Sequence, residues 1–352
     1  MTFIRNNQFA KTKFKHAFIF IVILGMHILI VNNTSIPVQK YGGTERVIWW
    51  LGKQLVKMGH QVSYLVASGS YCDFAGVHVL DHNIPFNQQI PAGVDVVHLN
   101  CKVNETPKIP YIITLHGNTN DQAPLDINTV FVSKNHASRY GSASFVHNGI
   151  DPADYGDPGL NQSRNYFHFL GDAAWRVKNL RGAIKIAQKA KISLRVIGGK
   201  RFNLNQGIRF TFDPQIRFDG MKGGAEKNAL LKGSKGLIFP VLWNEPFGLS
   251  IVESIYFGCP AFGTPYGSLQ EIIQPEVGFT SNSMIELVDA VKNADQFDKK
   301  ICHDYVMSNF TSTQMAANYL TKYETVLNGQ NLNQTTPILK EIQRDKFLPF
   351  LP

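Results

Sequence analysis

Cysteine is scarce in this chain of 352 residues. The four present, Cys72, Cys101, Cys259 and Cys302, stand far apart with no metal-ligand spacing, which argues against a disulfide scaffold or a zinc module. They read as reduced, structural thiols of a cytosolic protein. No Asp-x-Asp occurs anywhere, so a metal bridging a diphosphate is not indicated. Low-complexity tracts are missing, as is any nucleic-acid motif, which leaves nucleic acid without support as a partner. Acidic residues are the minority, 26 against 35 basic ones, and the net charge of +9 favours anionic partners such as nucleotide phosphates or acidic lipid headgroups. What is present is 44% hydrophobic content over a length long for one core and comfortable for two α/β domains.

The densest cluster of signals lies at residues 236–260. Gly236-Leu237-Ile238-Phe239-Pro240 is a short apolar run ending at proline, as a buried parallel strand would. Leu249 to Phe257 is apolar at helical spacing and stops at Gly258-Cys259-Pro260, which predicts a helix beginning near Gly248. Its N-terminus would present unpaired N–H groups and a partial positive charge, suited to a phosphate or diphosphate. Gly248 lets a ligand approach that backbone, and Ser250 adds a hydroxyl. Glu245 precedes the helix and Glu253 lies about one turn into it, both on the rim of a crevice at the C-terminal end of a strand. A carboxylate accepting from vicinal hydroxyls suits a ribose or a hexose. On the plainer reading, Glu245 caps the helix and Glu253 is a solvated helix residue; the Pro246-Phe247-Gly248 context favours the site.

The N-terminus admits two readings. Arg5, Lys11, Lys13 and Lys15 precede an apolar run from Ala17 to Val31, the pattern of a signal peptide or short anchor. Yet His27 to Val31 followed by Asn32-Asn33 has the form of a first buried strand and its loop, and Met26 stands immediately before it. On that view residues 1–25 are an upstream start or an extension. Beyond it, Tyr41-Gly42-Gly43-Thr44-Glu45 opens a helix through Lys57, with Thr44 as its expected cap, before a strand from Gln61 to Ala67. A glycine pair after a first strand lets backbone approach a diphosphate, although a simple turn is the more common explanation of such a pair. Val94 to Leu99, Tyr111 to Leu115 and Thr129 to Ser133 are strand-like, and His116 lies just past the second of these.

Asp151 to Arg164 is polar and bears Pro and Gly, the composition of a linker with few contacts. Afterwards the pattern restarts: strand Tyr166 to Leu170, helix Lys178 to Ala190, strand Ser193 to Ile197, strand Ile216 to Asp219 and helix Gly224 to Leu231. Two successive βα arrays imply an α/β protein whose ligand lies between two sheets.

The run Glu245-Pro246-Phe247-Gly248-Leu249-Ser250-Ile251-Val252-Glu253, with Gly258-Cys259-Pro260 and Gly267-Ser268-Leu269-Gln270-Glu271 after it, resembles the donor site of family 4 retaining glycosyltransferases. The resemblance extends from about Met26 to Leu327. It implies the GT-B architecture, two doubly wound Rossmann-like domains facing a central cleft. An acceptor-side domain would span residues 26–155 and a nucleotide-sugar domain 156–327, between an extension (1–25) and a tail (328–352). It further implies a metal-independent hexosyltransferase that needs no cofactor beyond its nucleotide-diphosphate sugar. The acceptor hydroxyl would belong to a glycan, a glycolipid or a small molecule, and the location would be cytoplasmic, with room for peripheral contact with the inner face of a membrane.

By the same resemblance Glu253 holds the ribose, Glu245 lies near the donor sugar, and Phe247, Gly248, Leu249 and Ser250 offer backbone to sugar and diphosphate. Gly42 and Gly43 match the glycine loop facing the diphosphate, with Glu45 the acidic residue after it, and His116 matches a histidine close to the donor sugar. Lys178 matches a lysine on the diphosphate, and Met221 lies at the turn lining the nucleotide base. Asp172 stands where the family has an arginine; Arg176 would supply that charge from a shifted position. His147 replaces a usual proline. Catalysis then falls to His116, Glu245 and Lys178, with both glutamates expected at a solvent-facing rim where Glu→Gln leaves stability unchanged. A nucleotide-sugar epimerase or phosphorylase of the same architecture is one alternative. A nucleotide-sugar-binding protein without turnover is another, kept open by Asp172.

Overall fold

The computed structural model describes residues 25–38, 42–201 and 212–352. The first array runs β1 (His27–Val31), α1 (Gly43–Lys57), β2 (Gln61–Val66), β3 (Gly76–Val79), β4 (Val96–Leu99), β5 (Tyr111–Leu115), β6 (Thr129–Phe131) and α2 (Lys134–Arg139). The second begins β7 (Tyr166–Leu170), α3 (Leu180–Ala190), β8 (Leu194–Ile197), β9 (Ile216–Gly220), α4 (Gly224–Lys232), β10 (Ser234–Phe239) and α5 (Leu249–Tyr256). It continues β11 (Ala261–Gly263), α6 (Leu269–Ile272), β12 (Gly278–Thr280), α7 (Met284–Lys292), α8 (Lys299–Asn309) and α9 (Ser312–Leu327).

Among the described residues the strands form two six-stranded parallel sheets, ordered β3-β2-β1-β4-β5-β6 and β12-β11-β10-β7-β8-β9. This is the expected α/β architecture of two doubly wound units. Both sheets reverse strand order near their middle, at β1 and at β7 and β10. Doubly wound sheets open a crevice beyond the C-terminal strand ends at such a reversal, and the site lies there.

All five residues of β1 are buried, as a central parallel strand with both faces covered requires. The second half of the apolar run Ala17 to Val31 is therefore strand. Residues 1–24 lie outside the described residues, and with them the anchor reading of that segment. Among the described residues no helix is long and apolar enough to cross a membrane.

Several local expectations differ from the structure. Thr44 does not cap α1; Gly42 holds that position without a side-chain hydrogen bond, and Tyr41 lies outside the described residues. Helix α3 starts at Leu180 rather than Lys178, because Asn179 in a left-handed conformation accepts from the Gly182 amide and sets a new N-cap. The segment Ser144 to Ile150, where the family resemblance implies a strand and turn closing the first unit, forms only isolated bridges, Phe145 with Phe131 and Ile150 with Thr311.

The linker is more tightly held than its composition suggests. Tyr155 is buried, and the buried Arg164 donates to the carbonyls of Ser234, Phe257 and Gly258. The long α9 carries a capping box at Thr311 and Gln314 and packs on the first sheet, where Tyr319 and Tyr323 meet Thr114 and His98. The chain thus returns to the first unit before residue 327. The tail packs on both units: Ile338 N–H donates to Tyr140 O in the first, and Leu348 N–H to Leu242 O in the second.

Candidate functional site

Strand β10 ends at Phe239, and the chain turns through residues 240–248 into α5. Gly248 caps that helix at φ 81°, a conformation costly for any residue with a Cβ. A second close approach fixes the loop's far side. A Cβ on Gly267 would lie 2.3 Å from the backbone N and O of Glu245, so only glycine permits the bridge between these residues. Ser268 N–H donates to Glu245 O at 2.9 Å, and its hydroxyl to Phe247 O at 2.8 Å. Sequence spacing, with the loop held from Gly267 and Ser268, thus brings Glu245, Gly248, Leu249, Ser250 and Glu253 around one cavity.

Glu253 is 2% exposed, not a solvated helix residue. Three donors converge on its Oε1: the Tyr155 hydroxyl at 2.6 Å, Lys227 Nζ and Arg46 Nη1. Its Oε2 takes no hydrogen bond among the described residues. Burial alone would raise the Glu253 carboxyl; Arg46 and Lys227, with the hydrogen bonds of Lys227 and Tyr155, instead hold it at about 2. Burial pulls Lys227 below the usual lysine range, partly offset by Glu253. Arg46 comes from α1 of the first unit, Lys227 from α4, and Tyr155 from the segment joining the units. With Arg46 and Lys227 charged against one carboxylate, the cluster carries a net single positive charge, the sign that suits a phosphate.

Glu245 repeats the arrangement about two helical turns earlier in sequence. Lys178 Nζ at 2.6 Å and Trp243 Nε1 at 2.8 Å both donate to its Oε2, and its Oε1 takes no hydrogen bond among the described residues. Both Glu245 and Lys178 are buried, and the ammonium rests against the rings of Trp243 and Phe239 at 5.1 and 5.2 Å. Each glutamate therefore gives one oxygen to a protein cation and keeps the other unbonded. Neither is the solvent-facing rim residue expected from sequence, because each is buried against at least one cation from another element.

A cavity of about 170 Å³ separates the two carboxylates and is lined by Gly43, Arg46, Lys178, Met221, Lys227 and Ser250, among others. Gly171, Gly198 and Phe239, at the ends of β7, β8 and β10, form its floor. Other expected residues lie elsewhere. Gly42 caps α1 behind Gly43. Phe247 is buried against His147 and Phe310, so only its backbone faces the loop. Arg176 is exposed, with its guanidinium over the Phe347 ring of the tail at 4.9 Å, away from the cavity. Asp172 accepts from the Ala174 amide and serves a turn. Arg46 and Lys227 on Glu253, and Lys222 in the cavity wall, are cations that sequence reasoning missed; Arg46, one residue after Glu45, was the closest to a signal.

His116 stands at the end of β5 and bonds Asn100 Oδ1 through Nε2 at 2.7 Å. Burial pulls its pKa down to about 4, so the ring is neutral near pH 7 and Nε2 carries the donated proton. Two residues on, Asn118 Nδ2 donates to Asn244 O at 2.6 Å, tying the His116 loop to the residue before Glu245. His147, in place of a proline, bonds Glu271, whose carboxylate also accepts from the amides of Lys134 and Asn135 at 2.9 Å. Among the described residues no group of three His, Cys, Asp or Glu is placed to hold a metal.

Residues 153–301 match the family model described as glycosyl transferases group 1. None of the curated proteins matches the chain. Among solved structures, AviGT4, a glycosyltransferase of avilamycin A biosynthesis, superposes with a TM-score of 0.70 at 21% identity, over 86% of this chain and 98% of that one. A glycosyltransferase from Rickettsia africae reaches 0.66 at 16% identity, over 87% of this chain and 100% of that one. HepE from Anabaena, in complex with UDP and glucose, reaches 0.60 at 14% identity, over 85% of this chain and 100% of that one. The fold is that of the GT-B glycosyltransferases, and the family match falls on the unit that holds both glutamates.

Proposed function

We propose that the protein is a retaining glycosyltransferase that moves a hexosyl group from a nucleotide-diphosphate sugar to an acceptor hydroxyl. The observation that carries this reading is the pair of buried carboxylates, each with one unbonded oxygen, facing a cationic cavity at the N-terminus of α5. On this reading Glu253 Oε2 accepts from the ribose hydroxyls. Glu245 Oε1 lies on the sugar side, and His116 sits across the cleft. The amides of Gly248 to Ser250, with Lys178, Arg46 and Lys227, stabilise the charge that grows on the diphosphate as the anomeric bond breaks. The acceptor oxygen attacks from the face the nucleotide is leaving. The C–O bond to phosphate breaks, the new C–O bond forms, and the acceptor's proton passes to the departing phosphate oxygen. A double displacement would need a carboxylate beneath the anomeric carbon.

A cavity of about 170 Å³ is smaller than the roughly 300–1,000 Å³ of ordinary ligand pockets. A whole nucleotide sugar therefore needs more room than this cavity gives as it stands. Asp172, serving a turn, leaves the diphosphate cations to other residues, so its presence does not argue against turnover. Free thiols at all four cysteines support a cytoplasmic location.

Transfer and hydrolysis measured with UDP-, GDP- and ADP-sugars, with and without EDTA, test the proposal. The expected result is turnover of one donor, unchanged by EDTA, with the anomeric configuration kept. Binding of every donor without turnover would leave a nucleotide-sugar-binding protein, and a metal-dependent rate would remove the mechanism above.

A further inference from the structure

Strand β5 is covered unequally. Its even-numbered side chains, Ile112 and Thr114, are buried, with the Thr114 hydroxyl bonded to Tyr319 of α9. On the opposite face Tyr111, Ile113 and Leu115 are only half-buried. Parallel sheets carry helices on both faces, and their strands are ordinarily buried on both. Here β4 joins β5 through residues 100–110 and β5 joins β6 through residues 116–128 without a helix, so loops alone cover this face. Between loops and strand lies a cavity of about 590 Å³, within the range of small-molecule sites.

The floor of that cavity is apolar, from Tyr111, Ile113 and Leu115 below to Val103, Pro107 and Leu125 at the sides. Its ionisable groups are engaged or peripheral. The Asp126 carboxylate accepts from the Tyr111 hydroxyl at 2.8 Å and the Asn128 amide at 2.7 Å, and Glu105 accepts from Asn87 at 2.9 Å. Lys102 and Asp121, of opposite sign, are exposed at the rim. Polar groups gather at one end, where Asn100 and His116 stand. The loop at that end is tied to the residue before Glu245 by the hydrogen bond from Asn118 to Asn244. His116 Nδ1 takes no hydrogen bond among the described residues, and the neutral ring makes it an acceptor for an incoming hydroxyl.

We infer that this cavity is the acceptor site and that it takes an alcohol or phenol with an apolar body, the body lying on β5 and the hydroxyl at His116. The inference rests on the glycosyltransferase reading for its reaction, not for its binding. A glycan would bring many hydroxyls to a floor that offers them no partners, at the cost of their desolvation. A phosphorylated lipid would meet a rim of mixed charge.

Binding of 4-methylumbelliferone and of maltotriose to the full chain, each with and without UDP, tests it by calorimetry. Ile113→Trp fills the floor from the strand and Val103→Trp from the loop, so the second variant stands if the first fails to fold. The expected result is binding of the phenol, weakened about tenfold or more in either variant, with UDP affinity unchanged and no binding of maltotriose. Equal phenol affinity in both folded variants overturns the site, as does maltotriose binding that both variants abolish. Phenol binding with the expected losses, but no binding of any nucleoside diphosphate, would remove the transferase reading and leave the cavity as a site for apolar alcohols.

Discussion

The two sides of the cleft are built on opposite principles. The second unit gathers charge: Glu245 with Lys178, and Glu253 with Lys227, joined by Arg46 from the first unit, around two glutamates whose places on one loop and helix follow from their distance along the chain. The first unit leaves one face of β5 without a helix, and its cavity exists because the two connections around β5 are loops. The carboxylates of a site at a helix end can be written in a dozen consecutive residues, whereas an apolar hollow is written in what no segment covers. On the proposed reading, a site for the diphosphate common to many donors gains from the first design, and one matched to the body of an acceptor gains from the second.

The sharpest way to break this comparison is to remove charge from the second unit. Glu253→Ala should leave Lys227 and Arg46 without their counter-ion in a buried setting. Breaking such a pair typically costs about 3–5 kcal/mol, so thermal unfolding should occur at a clearly lower temperature and donor binding should be lost. Glu253→Gln, which keeps an acceptor but not the charge, should fall between. The sequence reading expects no change in stability for the Gln variant. An unaltered melting temperature for both variants would return Glu253 to the solvated rim and take Arg46 and Lys227 out of the site.

Acid sharpens the comparison by acting on the two units over different ranges. Burial pulls His98 to about 3, His116 to about 4 and His136 to about 3 in the first unit, and His168 to about 3 in the second. Their folded values lie below the ordinary 6.5, so the unfolded chain binds protons that the folded chain refuses. The stability they contribute is complete above pH 6.5 and declines as pH falls towards 3. Glu253, held at about 2 against an ordinary 4.5, contributes stability that is complete above 4.5 and lost as pH falls through 2. Three of these four histidines surround β4 to β6, so the first unit should loosen first, beginning below pH 6.5. Hydrogen exchange pulsed at one fixed pH after incubation at graded acidity should show β4 and β5 losing protection before β7 and β10. Simultaneous loss near pH 4 would mean that carboxylates rather than histidines set the acid limit of both units.

The legible part of the molecule is the part that is local. Period and punctuation place most strands of both sheets within a few residues, because buried parallel strands are continuous apolar runs bounded by Gly, Pro and Asn. The loop and helix from Glu245 to Glu253 are legible for the same reason. The partners of Glu253 are not, since Arg46, Tyr155 and Lys227 reach it from α1, the connecting segment and α4, and no spacing relates them to it. Lys227 carries the least signal, a buried lysine in a short helix whose other charges face solvent. Asn179 shows the reverse failure: one left-handed residue moves a helix start by two positions and with it turns Lys178 inward to Glu245.

The smallest expected effect concerns two cations two residues apart that the sequence treats as equals. Lys178 is buried on Glu245 at 2.6 Å beside the cavity between the two glutamates, and Arg176 is exposed over Phe347 of the tail. Lys178→Ala should raise the Kd for a nucleoside diphosphate far more than that for the nucleoside, since a charged hydrogen bond is worth about 1.5–3 kcal/mol. It should also destabilise the fold, because Glu245 loses its counter-ion. Arg176→Ala should leave both affinities within about twofold and cost at most about 1 kcal/mol of stability, the value of an exposed cation–π contact. Calorimetric titration of UDP and uridine into the two variants separates the cases. If Arg176→Ala weakens UDP as strongly as Lys178→Ala does, the tail must release Arg176 when donor binds, and the boundary of the charged region then extends to Phe347.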